Sequence, residues 1–138
     1  MTAVATVGVR YIVDDVDAAL AFYTERLGFA KVMHTAPTFA MVSRGDLRLA
    51  LSSPSGRGGG GQVLADGRVP TPGGWNRIQL EVDDVRGLAD ELRRAGVTLR
   101  SNVVTGMGGD QVIVDDPSGN PVELFQPTID DARLRHDH

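Results

Sequence analysis

A chain of 138 residues with no cysteine excludes disulfide staples and thiolate metal sites before any motif is read. Its formal charge is −4, with 14 basic and 18 acidic residues interspersed, so no electropositive stripe is available and nucleic acid is not an expected partner. One domain is the natural expectation at this length, burying about 68–70% of the surface its unfolded chain exposes.

The opening MTAVATVGVR has no basic leader followed by an apolar stretch and a cleavage site. No later run approaches the ~20 apolar residues that span a bilayer, so the expectation is a cytoplasmic protein with no membrane partner. The alternation VGVRYIV at 7–13 predicts a strand. VDDVDAALAFYTERLG follows, with Val16, Leu20, Tyr23 and Leu27 at the three- and four-residue steps of an amphipathic helix. Asp15 is placed to cap the first turn of that helix, and Gly28 supplies the left-handed residue that commonly ends one. FAKVMH, FAMVSR and LRLALS read as three further strands, with SRGD as a turn. Four consecutive glycines, Gly58 to Gly61, then mark a linker or lid; no Lys-Ser/Thr follows them, which removes a phosphate-binding loop.

The pattern returns in the second half. RIQLEV at 77–82 is a strand, VDDV recurs at 82–85, and Asp84 repeats the cap. Val85, Leu88, Leu92 and Ala95 form the helical stripe, and Gly96 its end. VTLRSNVV, DQVIVD and PVELFQ predict three more strands, DPSGNP a turn, and TGMGGD at 105–110 either a loop over a binding site or an ordinary turn. Each half reads strand, helix, strand, strand, strand: an α+β fold of two βαβββ modules, a repeat of roughly 70 residues, too long for a solenoid. Module one is placed at about 5–55, a Gly/Pro-rich linker at about 56–74 and module two at about 75–127; the charged tail 128–138 is expected to fray.

Period-two alternation divides each strand into two faces. Val7, Val9, Tyr11 and Val13 are expected on the helix side, opposite Gly8, Arg10 and Ile12; Leu47, Leu49 and Leu51 lie opposite Arg48, Ala50 and Ser52. In the second half Ile78, Leu80 and Val82 lie opposite Arg77, Gln79 and Glu81, Val112 and Val114 opposite Gln111 and Ile113, and Val122 and Leu124 opposite Glu123 and Phe125. Arg, Gln and Glu mixed with Ile and Phe is the composition of a wall that orients a largely apolar ligand, although a solvated sheet face is the competing reading. Phe39, Trp75 and Phe125, with Met41 and Met107, are candidates for the apolar lining; Trp75 has a core or dimer-contact role as its alternative. Phe22, Tyr23 and Phe29 are assigned to packing beneath the sheet.

VRYIVDDVDAALAFYTERLGF resembles the first module, and VDDPSGNPVELFQP the closing hairpin, of the vicinal oxygen chelate superfamily, which includes glyoxalase I, bleomycin-resistance proteins and extradiol dioxygenases. The likeness spans about residues 7–127. It implies paired modules curling into a U-shaped cleft, commonly with two chains associating as a homodimer. In glyoxalase-like members four side chains hold a metal, one on the first and one on the last strand of each module. Those places fall here on Gly8, Ala50, Arg77 and Glu123, so one donor remains. A catalytic zinc site needs at least three protein ligands, and a guanidinium has no lone pair to give. The expectation is no cofactor, with Arg77 and Glu123 paired across the cleft in the space a metal would fill. A divalent metal on a rebuilt set, Glu81 and Glu123 with His34, is the alternative; His136 and His138 lie in the tail.

The resemblance thus implies a metal-free protein of the bleomycin-resistance type, sequestering or carrying an aromatic natural product or xenobiotic. The expected contacts to this small organic ligand are Arg10, Phe39, Arg48, Trp75, Arg77, Gln79, Gln111, Glu123 and Phe125. The alternative is a glyoxalase-like lyase or isomerase, or a dioxygenase-related enzyme, with Glu123 as general base or metal ligand; Arg77 beside it opposes proton uptake. A third possibility is a dimerising module with a vestigial cleft.

Overall fold

A computed structural model describes residues 6–35, 37–54 and 60–134. Gly58 and Gly59 in the glycine run, and His136 and His138, lie outside the described residues. The chain divides into two compact units, 1–73 and 74–138. Unit one contains β1 (Val7–Ile12), α1 (Val16–Arg26), β2 (Ala30–Thr35), β3 (Phe39–Arg44) and β4 (Leu47–Ser52). Unit two contains β5 (Ile78–Glu81), α2 (Val85–Arg94), β6 (Val104–Thr105), β7 (Gly109–Asp115) and β8 (Pro121–Pro127), then a single 3-10 turn at Asp130–Ala132. The sheets have the orders β1-β4-β3-β2 and β5-β8-β7-β6, and in each the first strand runs parallel to the last while the other pairs are antiparallel. The expected pair of βαβββ modules is therefore what forms. No described helix is long and apolar enough to cross a membrane.

The repeated VDDV has a local cause. Asp15 Oδ1 accepts the Ala18 N–H at 3.0 Å and Asp84 Oδ1 accepts the Gly87 N–H at 3.0 Å, so the second aspartate of each copy satisfies a donor that the first helical turn leaves open. Gly28 (φ 75°) and Gly96 (φ 85°) then turn the chain out of each helix in the left-handed conformation. Between cap and exit, α1 buries Val16, Ala19, Phe22 and Tyr23, and α2 buries Val85, Ala89 and Leu92. Leu20 and Leu88 are only half-buried, and Ala95 is exposed because it is the residue that ends α2.

Under α1 the aromatic residues pack as expected: Tyr23 is fully buried and meets Tyr11, Phe22 and Phe29 edge-on, with ring centroids 6.5, 5.1 and 5.4 Å apart. Val42, Leu49 and Leu51 complete that core, and Val112, Val114, Val122 and Leu124 form its counterpart in unit two. Val7 departs from its expected place and is exposed, since β1 enters the core only from Tyr11 onward.

One other expectation is corrected and two are narrowed. VTLRSNVV does not form a long strand: only Val104–Thr105 joins β7, with one bridge between Leu99 and Val114. The reason is Ser101, whose Oγ accepts the Ile113 N–H at 3.0 Å while Arg100 N and Ser101 N both reach the Ile113 carbonyl, so a side chain takes the place of a ladder partner. The tail does not fray at 128; Thr128 N donates to Gly108 O at 2.9 Å, and Leu134 N to Glu81 Oε1 at 2.8 Å. TGMGGD is a tight turn, closed by Gly106 N to Gly109 O at 2.9 Å, with Met107 almost wholly exposed at its tip. DPSGNP is fixed by the buried Asp116, whose Oδ1 accepts from Ser118 N and Asn120 N, both at 2.9 Å.

Two stability measurements check these assignments. Asp15→Ala and Asp84→Ala are each expected to lower the unfolding free energy by ~1 kcal/mol, read as a reduced urea midpoint with unchanged slope; unaltered midpoints contradict the capping role. A Cβ at Gly109 would collide with the Gln126 carbonyl oxygen and lie 2.9 Å from the Phe125 ring, so Gly109→Ala is expected to cost about 1–3 kcal/mol. A Gly109→Ala protein as stable as wild type contradicts that close approach.

Candidate functional site

In unit one, α1 contacts β2, β3 and β4 and covers the Val42, Leu49 and Leu51 side of the sheet. Residues in register across β1, β4 and β3 share the other side: Gly8 with Arg48, Arg10 with Ala50, and Ala50 with Met41. There the chain forms a concavity of about 290 Å³ lined by Gly8, Val9, Arg10, Met41, Arg48 and Ala50. The register sets each arginine beside a residue with little or no side chain, so the floor between them is backbone and a methyl group. Arg10 Nη1 donates to Ser52 Oγ at 2.8 Å, and Arg48 Nη1 faces the Met41 thioether at 3.7 Å. Phe39, in register with Ser52, is half-buried nearby on β3.

The described end of the glycine run bears on the same face. A Cβ at Gly60 (φ 84°) would collide with the Arg10 guanidinium, and one at Gly61 would lie 2.6 Å from the Ser53 carbonyl oxygen. At these two positions the run packs closely against β1 and the end of β4, and glycine is what permits the approach.

In unit two the equivalent side is occupied by an ion pair. Glu123, on β8, is 7% exposed. Its Oε1 accepts from Arg77 Nε at 3.0 Å and Nη2 at 2.9 Å, and its Oε2 from Gln79 Nε2 at 2.7 Å. The pair expected between Arg77 and Glu123 forms, but beside one another within a single sheet, because β5 and β8 are hydrogen-bonded neighbours and Gln79 lies in register with Glu123. Arg77 Nη1 also donates to the Trp75 carbonyl at 3.1 Å. Gln111 is half-buried in register with Phe125, which is itself buried with its ring against Gly109.

Other candidates fall elsewhere. Trp75 is no core residue: it is 66% exposed, with one ring face stacked by the Arg100 guanidinium 4.6 Å from the centroid. Arg100 is held in that position by Asp115 Oδ1 at 2.9 Å and the Gly119 carbonyl at 3.0 Å. Met107 stands at a turn tip, 98% exposed, whereas Met41 lines the unit-one concavity.

These residues do not fit a divalent metal. Gly8 and Ala50 offer no donor, Arg77 is a cation, and both oxygens of Glu123 already accept hydrogen bonds. The rebuilt set does not assemble either: His34 Nε2 bonds Asp17 Oδ1 at 2.9 Å, while Glu81 accepts the Leu134 N–H and lies 3.9 Å from Arg133. Among the described residues no three His, Asp or Glu side chains gather as a metal site.

Sequence reasoning missed Ser52 as the anchor of Arg10 and Gly60 as the residue lying against it. Ser52 carried a signal, a hydroxyl on the same alternate face as Arg48 and Ala50; Gly60 carried none beyond its membership of a glycine run.

Comparison with known proteins accords with this architecture. Residues 5–124 match the family described as the Glyoxalase/Bleomycin resistance protein/Dioxygenase superfamily. No curated protein matches the chain significantly. Among solved structures, a member of that superfamily from Sphaerobacter thermophilus is 28% identical, with a TM-score of 0.69 over 90% of this chain and 98% of its own. Two more distant structures share the fold. Lactoylglutathione lyase from Agrobacterium tumefaciens is 22% identical, with a TM-score of 0.68 over 91% of this chain and 96% of its own. TnmS3, an antibiotic binding protein from Streptomyces sp. CB03234, is 24% identical, with a TM-score of 0.68 over 93% of this chain and 99% of its own. With a match covering nearly the whole chain and two βαβββ units in its structure, the protein belongs to the glyoxalase/bleomycin resistance protein/dioxygenase superfamily.

Proposed function

We propose that the protein binds a small, largely apolar organic molecule on the side of its sheets away from the helices and holds it without metal chemistry, as a carrier or sequestering protein for an aromatic natural product or xenobiotic. One observation carries the reading: the single carboxylate at the four metal-holding places of the family, Glu123, has both oxygens committed to Arg77 and Gln79. A general base must have an oxygen within reach of the substrate proton, and a metal ligand must have one free for the cation. Glu123 has neither. In unit one the corresponding places, Gly8 and Ala50, leave a bare floor beside Met41 that suits an apolar body.

Fold alone does not choose between binding and catalysis, because an antibiotic binding protein and a lactoylglutathione lyase both share it. The chemistry of these particular side chains favours holding over converting. Association of two chains, which the family resemblance implies, is part of the proposal and corresponds to twice the 14.7 kDa chain mass in light scattering.

Protein purified without chelator is expected to carry less than ~0.1 divalent ion per chain and to melt at the same temperature with and without chelator. Screening against aromatic natural products is expected to find compounds that raise the melting temperature, since a ligand at ~100 times its Kd adds about 2.7 kcal/mol. Near-stoichiometric metal that is lost on chelation, or a screen in which no compound raises the melting temperature, overturns the proposal.

A further inference from the structure

We propose that Arg10 and Arg48 form an oxyanion-receiving subsite in unit one, so that the molecule held there is an aromatic acid. The inference rests on the binding function proposed above and adds the chemical class of the ligand. Its basis is a pairing of charge with space on one sheet face. Arg48 stands beside Gly8 and Arg10 beside Ala50 on adjacent parallel strands, and the two guanidiniums flank the bare floor of the concavity.

Guanidinium groups are the side chains best matched to a carboxylate, through two parallel N–H···O bonds. Arg48 is exposed, and among the described residues no carboxylate pairs with it; its contact is the Met41 sulfur at 3.7 Å, a weak acceptor. Met41 offers a polarizable thioether against which an aromatic ring packs well.

Arg10 is placed in advance. Ser52 Oγ takes its Nη1 at 2.8 Å, and Gly60 lies against the guanidinium where any side chain would collide with it. A donor already held in position loses little freedom when the anion arrives, which favours binding. The volume, about 290 Å³, lies at the small end of ligand pockets and suits an acid of one or two rings. Gly60 is thus a positioning residue that acts through Arg10.

Titration calorimetry on the full chain tests this with 2-naphthoate, its neutral isostere 2-naphthamide, and inorganic sulfate. The expected result is that naphthoate binds at least about tenfold more tightly than naphthamide or sulfate. Arg48→Gln is expected to weaken naphthoate about tenfold and leave naphthamide unchanged. Gly60→Val, which displaces the Arg10 guanidinium with Arg48 intact, is expected to reproduce that selective loss, whereas damage to folding would weaken both naphthalenes alike.

Equal affinities for naphthoate and naphthamide, unaltered by Arg48→Gln, overturn the subsite while leaving organic binding in place. Sulfate binding as tightly as naphthoate reduces the site to one for a bare ion and overturns the aromatic acid. If neither naphthalene binds and the hits of the aromatic screen are all neutral, the subsite fails alone; if nothing binds, both proposals fail.

Discussion

A carboxylate taken out of water must be neutralised or it destabilises the fold, and the arrangement around Glu123 follows from that constraint. β8 is the strand between β5 and β7, so Glu123 within it has few routes to solvent. Arg77 supplies the opposite charge through two nitrogens on one oxygen, and Gln79, in register on β5, fills the other oxygen. Geometry of this quality offsets the desolvation of the ions. It also ties both oxygens of Glu123 to neighbours in its own sheet, so the interaction that stabilises unit two is the one that occupies this carboxylate.

The two units started from one plan and spent their sheet faces differently. Both have the parallel first and last strands, the capped helix and the glycine exit. In unit two the basic residue before β5 is locked to a neighbouring glutamate. In unit one no glutamate stands at the corresponding place on β4; Ala50 does, and Arg10 and Arg48 border a concavity. Glycine and alanine in the floor leave volume, and arginines at its margin give that volume a sign. An open concavity bordered by two guanidiniums is the feature on which the proposed selection of an acid rests.

Much of the fold could be read in advance, because its signals are local. A cap bonds three residues along the chain and a helix exit needs one left-handed residue, so Asp15, Asp84, Gly28 and Gly96 were legible in isolation. Alternation also predicted that Arg77, Gln79 and Glu123 share a face. What escaped reading depends on contacts distant in sequence. Ser101 Oγ accepts the Ile113 N–H and ends a strand that composition alone extends through 97–104. Gly60 matters because of Arg10, fifty residues earlier in the chain. Met107 reads as an apolar contact until the tight turn places it at the tip, and Glu81 reads as a polar face residue until Leu134 folds back to it.

The claim that Glu123 is neutralised in place is tested most directly by a double-mutant cycle in urea. Arg77→Met and Glu123→Met, each leaving one charge of a largely buried pair without its partner, are expected to cost ~3–5 kcal/mol singly. The double variant, which removes both charges, is expected to recover most of that loss. Additive losses in the double variant, or single variants as stable as wild type, would contradict the account.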